Sequence, residues 1–261
     1  MASPPALTVV GTGIRCGTDL AANVRAAIVE ADEVFLLSSD PVSDSVLRGV
    51  RPDARGLAEL YAEDRPRRDT YAAMVECVLD GLRAGRRVCF AIPGHPGVFA
   101  QPTHEAIRRA RAEGYSAVML PALSAADHLY ADLGVDPGEH GSISFDATDF
   151  LAQGRIADPT AALILWQIGA IGEMHKPRTV HRAGLSLLVE VLLEAYPAAH
   201  EVVVYEAAPF AFCEPVIMRM RLDALASADV PLLSTLYVPP AAAASPVPER
   251  LRRLGLISKP A

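Results

Sequence analysis

The sequence predicts an α/β fold in two halves, and three features carry that expectation. Short apolar runs such as Val88 to Ile92 stop abruptly at turns rich in glycine and proline. Amphipathic helical patterns follow those turns. The strands themselves are apolar at nearly every position rather than at alternate ones, which suits strands covered on both faces of a parallel sheet.

The first 40 residues read as βαβ. Leu7-Thr8-Val9-Val10 forms a strand running into the tight turn Gly11-Thr12-Gly13-Ile14, and a helix is expected from about Asp19 to Ala31. Leu20, Val24, Ala27 and Ile28 place its apolar face, and Glu33 to Leu37 supplies a second strand. The turn resembles a dinucleotide fingerprint but lacks the third glycine, so it is a weak nucleotide signal.

A clear amphipathic helix then carries Tyr71, Met74, Val75, Val78, Leu79 and Leu82 on one face and stops at Gly85. Arg67 and Tyr71 are four apart and share a face if the helix begins by Arg67. Tyr61 lies before Pro66 and belongs to a loop. Read without other information, Tyr71 is the first core residue of that helix and Arg67 a surface charge.

After the strand Val88 to Ile92 comes Pro93-Gly94-His95-Pro96-Gly97-Val98-Phe99, the loop on which the rest is organised. In open α/β sheets, loops past the carboxyl ends of strands form the ligand crevice. Glycines let the backbone approach something bulky, and prolines stiffen the approach. A plain strand-to-helix connection has the same ingredients. A helix from Thr103 to Ala112 and a strand from Ser116 to Leu120 complete the first half, expected to span residues 1–121.

Pro121 to Ala126 reads as a hinge, with Ser124 capping a helix from Ala125 to Leu133. The second half, 122–261, has strands at Ser142 to Phe145, Ala162 to Gln167, Glu201 to Tyr205 and Leu232 to Val238. A helix at Leu185 to Ala195 lies between the second and third, and a short helix ends the chain.

Composition sets the outer limits. The chain has 261 residues, 51% hydrophobic and 21% charged, enough for one large or two ordinary domains. Its longest apolar runs, such as Ala161 to Trp166, are too short to cross a bilayer, and Met1-Ala-Ser-Pro-Pro lacks the features of a signal peptide. A cytoplasmic protein is expected. Cys16, Cys77, Cys89 and Cys213 have no CxxC spacing, which argues against a zinc site, and they are read as reduced core thiols. A formal charge of −7 argues against nucleic acid as a partner. Trp166, the single tryptophan, is read as core packing.

Several motifs in register carry a family resemblance. Val10-Gly-Thr-Gly13, Gly94-His-Pro-Gly-Val-Phe99, Pro121-Ala-Leu-Ser-Ala125 and Ser234-Thr-Leu-Tyr-Val-Pro239 resemble the tetrapyrrole methylase superfamily of S-adenosylmethionine-dependent methyltransferases. Ala131-Asp-Leu-Gly-Val-Asp-Pro137, Asp146-Ala-Thr-Asp-Phe150, Leu165-Trp-Gln167 and the spacing of Tyr61, Arg67 and Tyr71 make the chain most similar to the borosin-type peptide-backbone N-methyltransferases. The resemblance runs from about Leu7 to Pro240. It implies the two-domain class III methyltransferase fold, with a mostly parallel N-terminal sheet, a mixed C-terminal sheet and S-adenosyl-L-methionine in the cleft between them. It further implies a cofactor pocket lined by His95, Val98, Phe99, Ser124, Ala125, Gln167, Tyr205, Ala207 and Thr235, with no metal needed because the sulfonium is already activated.

For the acceptor, the resemblance implies catalysis by Tyr61, Arg67 and Tyr71. Amide resonance ties up the nitrogen lone pair, so Tyr71 or Tyr61 would serve as base or proton relay while Arg67 lowers the tyrosine's pKa and polarises the carbonyl oxygen. Family precedent adds a homodimer. Because the chain ends soon after the family domain, the precursor peptide is expected in trans, with no nucleic acid and no membrane involved. The other readings are methyl transfer to a tetrapyrrole or other small molecule, and a cofactor-binding partner protein without turnover. Two departures stand out. Pro93 replaces the tyrosine that commonly precedes Gly-His-Pro-Gly, and Ala122 replaces a glycine of the hinge.

Overall fold

The computed structural model describes residues 4–15, 17–61, 66–173 and 179–257. The chain divides into two compact units, one made mostly of Met1–Val135 with Tyr205–Val216, the other of Asp136–Gly172, Thr179–Val204 and Ile217–Ala261.

The first unit runs β1 (Ala6–Gly11), α1 (Ala22–Glu30), β2 (Glu33–Leu36), α2 (Pro41–Val50), β3 (Arg55–Gly56), a 3-10 turn (Ala58–Leu60), α3 (Arg67–Arg83), β4 (Val88–Ile92), α4 (Gln101–Ala112), β5 (Ser116–Leu120) and α5 (Ala125–Leu133). Its sheet has the order β3-β2-β4-β1-β5, and every neighbouring pair is parallel. Side chains alternate along each strand, so the sheet has two apolar faces. Val9, Phe35 and Phe90 pack with Met74 and Val78 of α3 and with Ala106 and Ile107 of α4. Val10, Leu36, Cys89 and Ala91 pack with Val24 and Ile28 of α1 and with Leu47 of α2. This double cover is why β4 is buried at every position. It also means that α1 and α4, which follow the adjacent strands β1 and β4, leave toward opposite faces. Such a switch point opens a crevice at the carboxyl ends of the two strands.

The second unit comprises α6 (Pro137–His140), β6 (Ser142–Asp146), α7 (Ala147–Ala152), β7 (Ala162–Trp166), a 3-10 turn (Ile168–Ala170), α8 (Arg182–Leu192), β8 (Glu201–Glu206), β9 (Val216–Arg221), a second 3-10 turn (Leu222–Ser227), β10 (Thr235–Val238) and α9 (Pro248–Arg253). Its sheet, ordered β6-β7-β10-β8-β9, is mixed: β6 and β7 are parallel, β7 and β10 antiparallel. Phe150, Leu163, Leu165, Leu188, Val202, Val204 and Leu236 share one core cluster. The α/β expectation, with one parallel and one mixed sheet, therefore holds.

Several boundaries differ from those expected, each for a local reason. The first helix starts at Ala22 rather than Asp19, because the Asp19 carboxylate accepts from the backbone N–H groups of Ile14 and Arg15 and closes the preceding turn. The fourth starts at Gln101, with Pro102 accommodated in its first turn. The helix α8 begins earlier than Leu185 because His181 Nδ1 accepts from Gly184 N, a cap outside the usual Ser/Thr/Asp/Asn set. Strand β10 begins at Thr235, since the Leu232 carbonyl lies against Gly169, within 2.5 Å of where a Cβ would stand. Helix α2 was not anticipated, although Asp40 caps it and Pro41 opens it.

Trp166 is buried in β7. Cys89 is fully buried, Cys77 and Cys213 only half-buried, and all three are free; Cys16 lies outside the described residues. Burial pushes the Cys89 thiol up to about 12. No described helix is long and apolar enough to cross a membrane.

Gly11 makes the closest demand on sequence. A Cβ there would lie 2.2 Å from the Gly94 carbonyl oxygen, 2.6 Å from Pro96 Cδ and 2.8 Å from Ala122 Cβ. Gly11→Ala is therefore expected to lower unfolding stability by about 1–3 kcal/mol through overpacking, measured by urea denaturation. An unchanged midpoint would mean that the two loops do not hold each other.

Candidate active site

The two loops at the switch point are joined through their backbones. Thr12 N donates to the Ile92 carbonyl at 2.9 Å, and Gly94 N donates to the Gly13 carbonyl at 2.8 Å. Gly13 and Gly94 both have positive φ, 75° and 66°, conformations that glycine adopts without a steric penalty.

Past Gly94 the loop is held from within. His95 Nδ1 accepts from Gly97 N at 2.9 Å, which in the neutral ring leaves the proton on Nε2. Thr103 Oγ1 lies within hydrogen-bond distance of both the Pro96 and Ala100 carbonyls, and its single proton serves one or is shared between them. The loop thus presents Val98 and Phe99, 44% and 54% exposed. Phe99 sits at φ 50°, a left-handed conformation that costs a non-glycine residue about 1 kcal/mol or more and concentrates at functional sites.

A charged cluster lies against the first glycine turn. Asp19, closing that turn, is also 2.8 Å from His128 Nε2 on α5, and both side chains are at least nine-tenths buried. Asp132, one turn further along α5, accepts from the Tyr205 hydroxyl at 2.8 Å and pairs with Arg15 at 3.4 Å. Burial first, and then the bond to Asp132, push the Tyr205 phenol well above its ordinary range. Its hydroxyl is committed to Asp132 and remains protonated. Ser124 begins α5 with a reciprocal capping box to Asp127, followed by Ala125. Ala207, next but one after Tyr205, is half-buried.

The Tyr61, Arg67 and Tyr71 triplet is brought together. Tyr61 follows the 3-10 turn, and Arg67 and Tyr71 lie four residues apart at the start of α3. Both tyrosines are partly buried against the core shared by α3 and α4. The Tyr61 phenol is raised well above its ordinary range, chiefly by burial and then by Tyr71, both through its charge and through a side-chain hydrogen bond; the positive charge of Arg67 opposes this. Tyr61 therefore stays protonated at neutral pH. Of the basic cluster around the triplet, Arg68 is exposed and faces Asp69 at 3.7 Å, while Arg65 lies outside the described residues.

In the second unit, Gln167 and Thr235 fall near one another. Gln167 ends β7 in a left-handed conformation, φ 60°, and the next residue, Ile168, donates its N–H to the Ser234 carbonyl at 2.9 Å. Thr235 is 5% exposed. Among the described residues, no group of three or more His, Cys, Asp or Glu side chains is arranged to hold a metal ion.

The residues that sequence reading missed are Arg15, Asp19, His128 and Asp132. Asp19 and His128 are 109 positions apart, so no local spacing could pair them. Asp132 stands inside a motif that marks the resemblance without revealing its partner. Tyr205→Phe is expected to cost about 1.5–3 kcal/mol, the usual worth of a hydrogen bond to a charged group, measured by chemical denaturation. A cost near zero would remove this bond from the account.

A family model described as Tetrapyrrole (Corrin/Porphyrin) Methylases matches residues 6–226. The chain is 39% identical over 250 residues to a methyltransferase/ribosomally synthesized type I borosin cyclic peptide precursor of Coprinopsis marcescibilis, covering 92% of this chain and 63% of that protein. It is 35% identical to a methyltransferase/ribosomally synthesized cyclic peptide gymnopeptides precursor of Gymnopus fusipes, covering 97% of this chain and 61% of that protein. The chain thus spans less than two thirds of the length of these curated relatives. Among solved structures, uroporphyrin-III-C-methyltransferase from Thermus thermophilus superposes with a TM-score of 0.63 at 18% identity, covering 90% of this chain and 92% of that one. Diphthine synthase superposes with a TM-score of 0.60 at 19% identity, covering 92% and 91%. These two likenesses concern the fold alone. The family match begins at the first strand and extends past β9, and this chain therefore belongs to the tetrapyrrole (corrin/porphyrin) methylase family.

Proposed function

We propose that this chain transfers methyl groups from S-adenosyl-L-methionine to backbone amide nitrogens of a ribosomally made precursor peptide. The observation that carries the peptide half of this reading is the phenol pair Tyr61 and Tyr71 beside the charge of Arg67. The names of the relatives, which join a methyltransferase to a peptide precursor, support it.

The residues present fit the cofactor. Glycines at 11, 13 and 94 let the two loops meet, their Cβ directions being taken up by the Gly94 carbonyl, Asp19 and Ile14, so the loops stand at the carboxyl ends of the strands, where ligands bind in open α/β sheets. His95 keeps Nε2 for a ligand while Nδ1 is spent on Gly97, and Val98 and Phe99 offer apolar surface. With Ser124, Ala125, Tyr205, Ala207, Gln167 and Thr235, they make the set we assign to cofactor binding. When bound, the cofactor supplies a methyl group already activated on sulfur.

The chain's own residues then address the amide. Its nitrogen lone pair is delocalised, so attack requires charge to collect on the carbonyl oxygen and the N–H proton to leave. Arg67 donates hydrogen bonds to that oxygen and stabilises the charge. As the carbon–nitrogen bond forms and the methyl group would leave sulfur, which keeps the bonding pair, the Tyr71 oxygen would take the amide proton while its own phenolic proton passes to solvent. Tyr61, kept protonated by its surroundings, donates to Tyr71 and steadies it. Pro93 contributes no hydroxyl, so the proton work falls to this pair alone. We further read the enzyme as a cytoplasmic homodimer acting on a precursor peptide.

Arg67→Ala and Tyr71→Phe are each expected to lower kcat on a peptide acceptor by about 10²–10⁴, the range for losing a positioned acid–base or charge-stabilising group. Cofactor affinity, measured by calorimetry, should not change. Full turnover by either variant would contradict the mechanism, and would favour a small-molecule acceptor handled elsewhere.

A further inference from the structure

Tyr61 borders a second feature that the proposed chemistry does not use. A cavity of about 450 Å³ lies in the first unit beyond the carboxyl ends of β2 and β3, and its lining includes Ser39, Asp44, Arg48, Ala58, Glu59 and Tyr61. This volume falls in the range of small-ligand pockets. None of the loop residues His95, Val98 or Phe99 lines it, so it is distinct from the surface assigned to the cofactor.

Its polar groups are partly committed and partly free. Arg48 Nε donates to Asp44 at 2.6 Å, and its Nη1 donates to the Ala54 carbonyl at 2.7 Å. The guanidinium is thereby fixed, with Asp44 largely neutralised. Nη2 lies over Gly56, 3.1 Å from where a Cβ would be, and carries no hydrogen bond among the described residues. Asp40 is spent on the backbone N–H groups of Val42 and Ser43. Glu59 is exposed and, like the Ser39 hydroxyl, has no partner among the described residues. The unspent groups of the cavity are thus a carboxylate, a hydroxyl and one arm of a guanidinium. The carboxylates outnumber the single cation.

Resting on the peptide reading above, we infer that this cavity receives the side chain of the peptide residue flanking the methylated amide. It selects a side chain that ends in a hydrogen-bond donor and rejects a carboxylate. The placement follows from Tyr61, which both lines the cavity and bonds to Tyr71. A chain whose amide lies at Tyr71 and Arg67 has its neighbouring residue within one Cα step, about 3.8 Å. The preference follows from Glu59, which offers an acceptor to an amide or ammonium group and repels a carboxylate. Arg48 Nη2 is left to donate to a peptide carbonyl.

The test uses the full chain, S-adenosylmethionine and the precursor segment of the Coprinopsis marcescibilis relative, supplied as a separate peptide. Versions of that segment carry Asn, Lys or Asp on either side of each methylated position. For one flanking side, the Asp peptide should show a KM about tenfold or more above those of Asn and Lys, the scale of discrimination by an unsatisfied polar group. Glu59→Gln should narrow the gap between Asp and Asn. Ala58→Trp, which fills the cavity from an exposed position, should raise KM and abolish the preference, with cofactor affinity as the folding control. Equal KM values for all three peptides, or a preference that survives Ala58→Trp, would overturn the subsite and leave the peptide reading intact. Methylation of none of these peptides would overturn the peptide reading and the subsite together.

Discussion

The first unit is organised around a place where two backbones touch. At the carboxyl ends of β1 and β4, the Gly11 to Gly13 turn and the loop after Ile92 exchange hydrogen bonds at a separation that admits no side chain at Gly11. Close approach of this kind comes from sheet topology. Because β4 inserts between β1 and β2, and its following helix goes to the opposite face from α1, two adjacent strand ends diverge and must be bridged by loops. Everything assigned to the cofactor in the first unit is positioned from that bridge.

The bridge is braced by charge. Asp19 folds the first turn by accepting two backbone N–H groups and is met by His128, while Asp132 links Arg15 to Tyr205. Removing carboxylates from water is costly unless each is paired and hydrogen-bonded, and here both are. Helix α5 is thereby tied to the glycine turn through two of its side chains one turn apart. Burial also raises the phenols of Tyr61 and Tyr205, so both stay protonated, and Tyr205 donates to Asp132.

Much of this was legible in the sequence because the signals are local. The uniform apolarity of Val88 to Ile92, the helical spacing from Tyr71 to Leu82 and the Ser124 cap each report a structure completed within a few residues, and each strand or helix appears where its pattern lies. What escaped was non-local or weakly patterned. β3 is two residues long, too short for any period. β9 alternates half-buried and exposed positions, but places Met and Arg where strand formers would announce it. The pairing of Asp19 with His128 spans most of the first unit. The triplet shows both kinds. Arg67 and Tyr71 share a face by simple helical arithmetic, whereas the arrival of Tyr61 beside them depends on how the segment after β3 packs against α3. The left-handed backbones of Phe99 and Gln167 were also invisible, since nothing in a side chain's identity announces a strained φ.

The most direct measurement supplies the enzyme with S-adenosylmethionine carrying an isotopically labelled methyl group and a precursor peptide, then locates the label by NMR and tandem mass spectrometry. The account predicts label on backbone amide nitrogens, with transfer sharply reduced when Tyr71 or Arg67 is replaced. Label on a side chain, or on a small-molecule acceptor with the peptide untouched, would contradict it.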